Sequence, residues 1–127
     1  MDKVLLDSDI LIDHLRRYEP ARQYLKRFEA GEVEGYLSII TVAALAAGHM
    51  QQEAEETKVQ HLLALFTHID LNYAIAWRGG EIRRHYQTRL ADALIAATAL
   101  KHHLQLATRN LQHFNPIEGL QVEKPYD

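Results

Sequence analysis

Aspartate or asparagine sits where three apolar segments of this chain begin or end. "KVLL", Lys3 to Leu6, runs directly into Asp7, Ser8 and Asp9, and "ADALIAATALKHH" carries Asp92 at its start. A third apolar stretch, "LQLAT" from Leu104 to Thr108, is followed by Arg109 and Asn110. Carboxylates gathered with an amide oxygen suit Mg²⁺ or Mn²⁺, hard cations that take oxygen ligands and keep several waters. Such an ion lowers the pKa of a bound water, orients it for in-line attack on phosphorus and stabilises the leaving oxygen. That chemistry is phosphodiester hydrolysis. Each residue also has a plainer use. Asp7 or Ser8 can cap the helix after the first apolar run, and Asn110 is an equally good cap. Asp92 stands in the first turn of a helix that is otherwise almost wholly apolar. A carboxylate there calls for a cation, for hydrogen-bond donors or for the field of the helix N-terminus.

These residues converge only if the elements between them place them together. "KVLL" reads as a buried strand ending in a turn, with a helix starting at Asp9 or Ile10. After Pro20, "ARQYLKRFEAG" sets Tyr24, Leu25 and Phe28 at helical spacing and stops at Gly31. "YLSII", Tyr36 to Ile40, reads as a second buried strand, with Thr41 capping an alanine-rich helix. "EETKVQHLLALF" puts Val59, Leu62, Leu63 and Phe66 on one helical face, and strand-like "THIDL" follows. A helix from Asn72 to about Gln87 carries Trp77, Ile82 and Tyr86 on one side and Arg78, Arg83, Arg84 and His85 around the rest. "ADALIAATALKHH" is apolar on nearly every side and is expected to be central. "LQLAT" is the third clear strand, "RNLQHF" a short helix and "LQVE" a last short strand. Strands alternating with helices imply an α/β sandwich with a mostly parallel sheet. In such a sheet the carboxyl ends of the strands share one edge, where ligands bind.

Composition narrows the class. The 127 residues fit a single domain, residues 1–127, without repeat or linker. A formal charge of −3 from 14 basic and 17 acidic residues is not that of a general nucleic-acid binder, so a polyanion would meet a local patch. The absence of cysteine excludes disulfides, thiol catalysis and cysteine-held zinc, and suits a reducing cytoplasm. No apolar tract is long enough to span a bilayer, and the first residues do not read as a secretory signal. None of the eight histidines forms an H-E-x-x-H pair, so they read as surface or core residues. Arg78, Arg83, Arg84 and Arg89 could hold phosphates, though a charged helical face is usually only solvated. Trp77 and Tyr86 read as core or dimer interface rather than a base-stacking platform.

In order along the chain, "LLDSDILIDHLR", "SIITVAALAAG", "ADALIAATAL" and "LATRNLQHF" followed by "GLQVEKP" resemble the PIN-domain ribonucleases of the VapC toxin type. The resemblance spans nearly the whole chain. It implies a three-layer α/β/α sandwich, a Mg²⁺- or Mn²⁺-dependent endoribonuclease acting on RNA, a VapB-type antitoxin as partner and a homodimer. Carried over by position, Asp7 and Asp92 are the metal-binding acids and Asn110 the fourth site position, while Ser8, Thr108 and Arg109 face substrate. Asp9 stands where the family often has asparagine. A glutamate expected in a phrase like "S-x-I-T-x-x-E-L" falls on Ala44, so the site lacks one carboxylate and its activity is expected to be impaired. A glutamate there could alternatively close a capping box with Thr41. The segment between Tyr86 and Asp92 is shorter than in many relatives.

Two other readings stand beside this one. "VLLDSD" has the apolar strand and Asp-x-Asp of a haloacid-dehalogenase-like phosphatase, with Asp7 as nucleophile and Asp9 as acid, but Leu11 stands where that motif has threonine. The other is a binding module without catalysis that keeps the fold to engage an antitoxin.

Overall fold

The architecture is that of a computed structural model, which describes residues 2–48, 50 and 53–127. Its elements are β1 (Lys3–Leu6), α1 (Ser8–Leu15), α2 (Glu19–Glu29), β2 (Glu34–Ser38), α3 (Ile39–Ala46), α4 (Glu53–Leu63), β3 (Thr67–Ile69), α5 (Tyr73–Tyr86), α6 (Leu90–His102), β4 (Gln105–Ala107), α7 (Leu111–Phe114) and β5 (Val122–Glu123). The strands form one five-stranded sheet in the order β3-β2-β1-β4-β5, every neighbouring pair parallel. The mostly parallel sheet expected from the sequence is thus wholly parallel among the described residues.

β1 lies at the centre and is buried on both faces, as its unbroken apolar run requires. Alternation along it separates two cores. Val4 and Leu6 join Leu25, Phe28, Leu37, Leu62 and Phe66 on one face, while Leu5 joins Ile75, Ile82, Ala96, Leu106 and Phe114 on the other. Helices therefore cover both faces, which makes the α/β/α sandwich. Tyr24, Leu25 and Phe28 of α2, and Val59, Leu62, Leu63 and Phe66 in and after α4, are buried as their spacing predicts.

Two local expectations are corrected. The chain leaves the sheet at Ser38, two residues before the end of "YLSII". The Ser38 hydroxyl accepts the Ile40 N–H at 3.1 Å and caps α3, so Ile39 and Ile40 are helical despite their β-branched preference for strands. Thr41 is not the cap. It is fully buried in the first turn of α3, and its Oγ1 has no hydrogen-bond partner among the described residues.

On α5 the buried stripe is Ile75, Gly79 and Ile82, with Tyr86 partly buried in the same core, and Trp77 lies outside it at 62% exposure. Trp77 is therefore not a core residue. A Cβ at Gly79 would come within 2.6 Å of Leu94 Cδ2, so glycine is what lets α5 close on α6. Trp77 instead stacks on Tyr73 at 6.3 Å between ring centroids.

Candidate active site at the carboxyl edge of the sheet

Because β1 and β4 are parallel neighbours, with Leu6 in register with Ala107, the residues that follow them meet at one edge. The Asp7 N–H donates to the Ala107 carbonyl at 2.9 Å, which extends the ladder by one bond. Asp7 is the N-cap of α1: Oδ1 accepts the Ser8 N–H at 2.8 Å. Oδ2 accepts the Thr108 hydroxyl at 2.9 Å. The helix therefore starts at Ser8, one residue ahead of the expected Asp9, and capping is one of Asp7's two tasks.

Asp7 is 4% exposed. Burial, reinforced by the charge of Asp9 and more weakly by that of Asp92, raises its pKa from 3.8 to about 7 against the lowering effect of the Thr108 and Ser8 donors. Asp9 lies in the first turn of α1. Its Oδ2 accepts the Arg109 N–H at 2.9 Å, and Asn110 Nδ2 lies 3.5 Å from the same oxygen. Asp9 Oδ1 is buried without a hydrogen-bond partner among the described residues. Desolvation raises the Asp9 pKa as well, opposed chiefly by the backbone N–H groups of Arg109 and Ile10.

Thr108 is fully buried and ties the edge together. Its single hydroxyl proton goes to Asp7, and its oxygen accepts the Asn110 N–H at 3.0 Å. Asn110 occupies the N-cap position of α7 but makes no side-chain cap bond. Its amide is turned towards Asp9 instead. Asp92 stands in the first turn of α6, behind Arg89, which caps without a side-chain bond. Its carboxylate is paired with His113 Nδ1 of α7 at 3.5 Å.

His113 escaped the sequence reading, which left all histidines to surface or core. The available signal was topological: α7 follows the strand beside β1, so its side chains return to the edge where α6 begins.

Arg109 reaches the edge through its backbone, while its guanidinium is engaged elsewhere. Nη1 donates to Asp13 Oδ2 at 2.8 Å, and the group lies 5.3 Å and 5.4 Å from the ring centres of Tyr18 and Tyr126. Tyr126 also donates to Asp13, at 2.8 Å. Of the other arginines, Arg78 is paired with Glu81 at 3.9 Å, and Arg83 donates to the Thr88 carbonyl at 2.6 Å.

Ala44 is exposed on α3, along a cavity it shares with Ile12 of α1 and with Arg16, which caps that helix. Asp9 precedes Ile12 by one turn and Arg16 by two, so it lies on the same stripe of α1. With Ser38 as the cap, the third position of α3 is Thr41, and a glutamate at 44 would lie beyond any capping box.

Residues 4–117 match the PIN domain family model, and the chain belongs to the PIN-domain family, in its VapC branch. Ribonuclease VapC10 of Mycobacterium tuberculosis is 40% identical over 124 residues, covering 92% of this chain and 90% of that protein. The plasmid stability protein StbB of Pseudomonas syringae pv. tomato is 32% identical, covering 98% and 99%. Among solved structures, a chain of a toxin-antitoxin complex from Klebsiella pneumoniae superposes with a TM-score of 0.82 at 35% identity, over 98% of each chain.

Proposed function

We propose that this chain is the toxin of a VapBC-type toxin-antitoxin pair and a metal-dependent endoribonuclease whose site is weakened at Ala44. The observation that carries the catalytic part is the Asp7 carboxylate, buried next to Asp9 and, among the described residues, with no basic side chain bonded to it. Two carboxylates so placed favour a bound cation over mutual repulsion. The donors are all oxygen, and Asp9 Oδ1 is a buried oxygen with no hydrogen-bond partner among the described residues, so the residues fit Mg²⁺ or Mn²⁺. Asp7 and Asp92 would hold the ion, with Asn110 beside them. Among the described residues no three of histidine, cysteine, aspartate or glutamate are grouped so as to hold a metal. When bound, the ion supplies an activated water and stabilises charge developing on the phosphate.

The chain's own residues do the positioning. Thr108 and Ser8 fix both oxygens of Asp7, Arg109 and Asn110 orient Asp9, and His113 holds Asp92. The phosphatase reading is not favoured: an Asp7 with both oxygens bonded and almost no exposure is poorly placed to attack phosphorus. Arg109 is assigned to positioning, since Asp13 and two tyrosines occupy its guanidinium. The partners proposed are RNA, a VapB-type antitoxin and a second copy of the chain. The Klebsiella relative was solved in a toxin-antitoxin complex, which supports the antitoxin. No helix among the described residues is long and apolar enough to cross a membrane, and a cytoplasmic single domain is proposed with the rest.

The test is RNA cleavage by Ala44→Glu in Mn²⁺, Mg²⁺ and chelator, with the parent and Ala44→Glu/Asp7→Asn as controls. Metal-dependent cutting by the single variant alone is expected. Folded protein that cuts no RNA in any form would leave a binding module without catalysis.

A further inference from the structure

The turn between α5 and α6, with α7 beyond it, encloses a cavity of about 280 Å³ whose wall includes Asp92. Resting on the nuclease reading above, we propose that this cavity is the subsite for one unpaired RNA base next to the scissile phosphate, read by the side-chain amides of Gln87 and Gln112. The volume lies just under the range usual for drug-sized ligands, which suits one base rather than a stacked run.

The lining has the chemistry of single-strand recognition, where a splayed base stacks on an aromatic or guanidinium plane and is hydrogen-bonded along its edge. Tyr86 and Arg89 supply planes, Gln87 and Gln112 supply amides, and His113 bridges the cavity to Asp92. The Thr88 hydroxyl oxygen, in the same lining, is buried and has no hydrogen-bond partner among the described residues. These features share one wall with an acid of the site, so a base seated here brings its phosphate to Asp92. None of the cavities at α1, at Leu100 or at His68 includes Asp7 or Asp92 in its lining.

The wall is set before any ligand arrives. Arg83 holds the Thr88 carbonyl at 2.6 Å, the Tyr86 hydroxyl accepts the Glu118 N–H at 3.1 Å, and the His85 ring meets the Tyr86 ring edge-on at 4.6 Å. Gln87 closes α5 in the left-handed region, at φ 58°. Asparagine or glycine would be easier there, yet the position carries a longer amide that lines the cavity. Rigid walls lessen the ordering cost of binding. A carboxamide pairs best with adenine, whereas a carboxylate accepts from the amino group of cytosine.

The test has a binding arm and a cleavage arm. In chelator, the side-chain amide resonances of Gln87 and Gln112 in the unaltered chain are followed by NMR during titration with the trinucleotides UAU, UCU and UUU. UAU is expected to shift both amides at concentrations about tenfold below the other two. In the Ala44→Glu background, cleavage of a randomised RNA is expected to favour adenine at one position. Gln112→Glu should transfer that preference to cytosine, and Gln112→Ala should flatten it about tenfold. Amide shifts without cleavage would uphold base binding in this cavity and overturn its place beside a scissile phosphate together with the nuclease reading. Cleavage with a base preference untouched by either Gln112 variant would overturn the subsite and keep the nuclease. Trinucleotide binding that leaves both amides unmoved would also overturn it.

Discussion

Thr108 gives its hydroxyl proton to Asp7 Oδ2 at 2.9 Å across 101 positions of sequence, and this bond joins the ends of two neighbouring strands into one site. The Thr108 hydroxyl oxygen also accepts the Asn110 N–H, so one hydroxyl holds a candidate metal ligand and starts the chain towards α7. Thr108→Val keeps the shape and removes both bonds. It should cost about 1–3 kcal/mol in urea denaturation, because a buried carboxylate oxygen and an N–H lose their partner. It should also raise the Asp7 pKa further, since the Thr108 donor is a lowering influence. Carboxyl NMR titration reads that shift, and Thr108→Ser should restore most of both effects. An unmoved Asp7 titration in Thr108→Val would sink this account.

Asp7 itself works against stability when no cation is present. Its folded pKa of about 7 stands above the unfolded value of 3.8, so the fold prefers the neutral acid. The stabilisation from that proton is complete below pH 3.8 and is lost as pH rises through 7. Asp7→Asn should therefore be more stable than the parent by roughly 1–4 kcal/mol at pH 8 in chelator. Near pH 4 the difference should close. Added Mn²⁺ should raise the melting temperature of the parent and leave that of Asp7→Asn unchanged. A less stable Asp7→Asn at pH 8 would mean that the two donors around the carboxylate outweigh its desolvation.

Arg109 separates a positioning role from a substrate role. Its guanidinium is partly exposed, so its ion pair with Asp13 contributes at most about 1 kcal/mol. Its backbone N–H, which holds Asp9, survives any substitution except proline. Arg109→Met should therefore change stability little and leave RNA affinity, measured by salt-dependent titration, within about twofold of the parent. A loss of one unit in the salt slope would return Arg109 to the phosphate.

The sheet and its two layers could be read from the sequence because the chain alternates short apolar runs with 3.6-periodic stretches, and parallel order then follows from the connections. The placement of Asp7, Thr108, Asn110 and Asp92 could be read for the same reason: each follows a strand or opens a helix. What could not be read is where side chains point. "YLSII" is strand-like by propensity, yet Ser38 provides a cap two residues early. Trp77, which helical spacing puts in the core or a dimer interface, lies off an interior stripe that runs through Gly79, a residue with no side chain to reveal it. His113 has no local motif and meets Asp92 only because α7 packs on α6.

The start of α3 at Ser38 decides what a glutamate at position 44 can do. A capping box requires the acid at the third helical position, and that position is Thr41. An acid at 44 gains nothing from the helix N-terminus, whose influence ends within the first turn. It would instead enter the cavity lined by Ile12, one turn after Asp9, whose carboxyl pKa is already raised. Like charges so placed repel. Ala44→Glu should therefore lower the melting temperature in chelator by a few degrees at pH 8. Mn²⁺ should reverse that loss and give a larger rise than it gives the parent, because a third carboxylate completes the oxygen donors. If Ala44→Glu stabilises the protein in chelator and responds to Mn²⁺ no more than the parent does, the residue served the helix and Ala44 is no missing ligand.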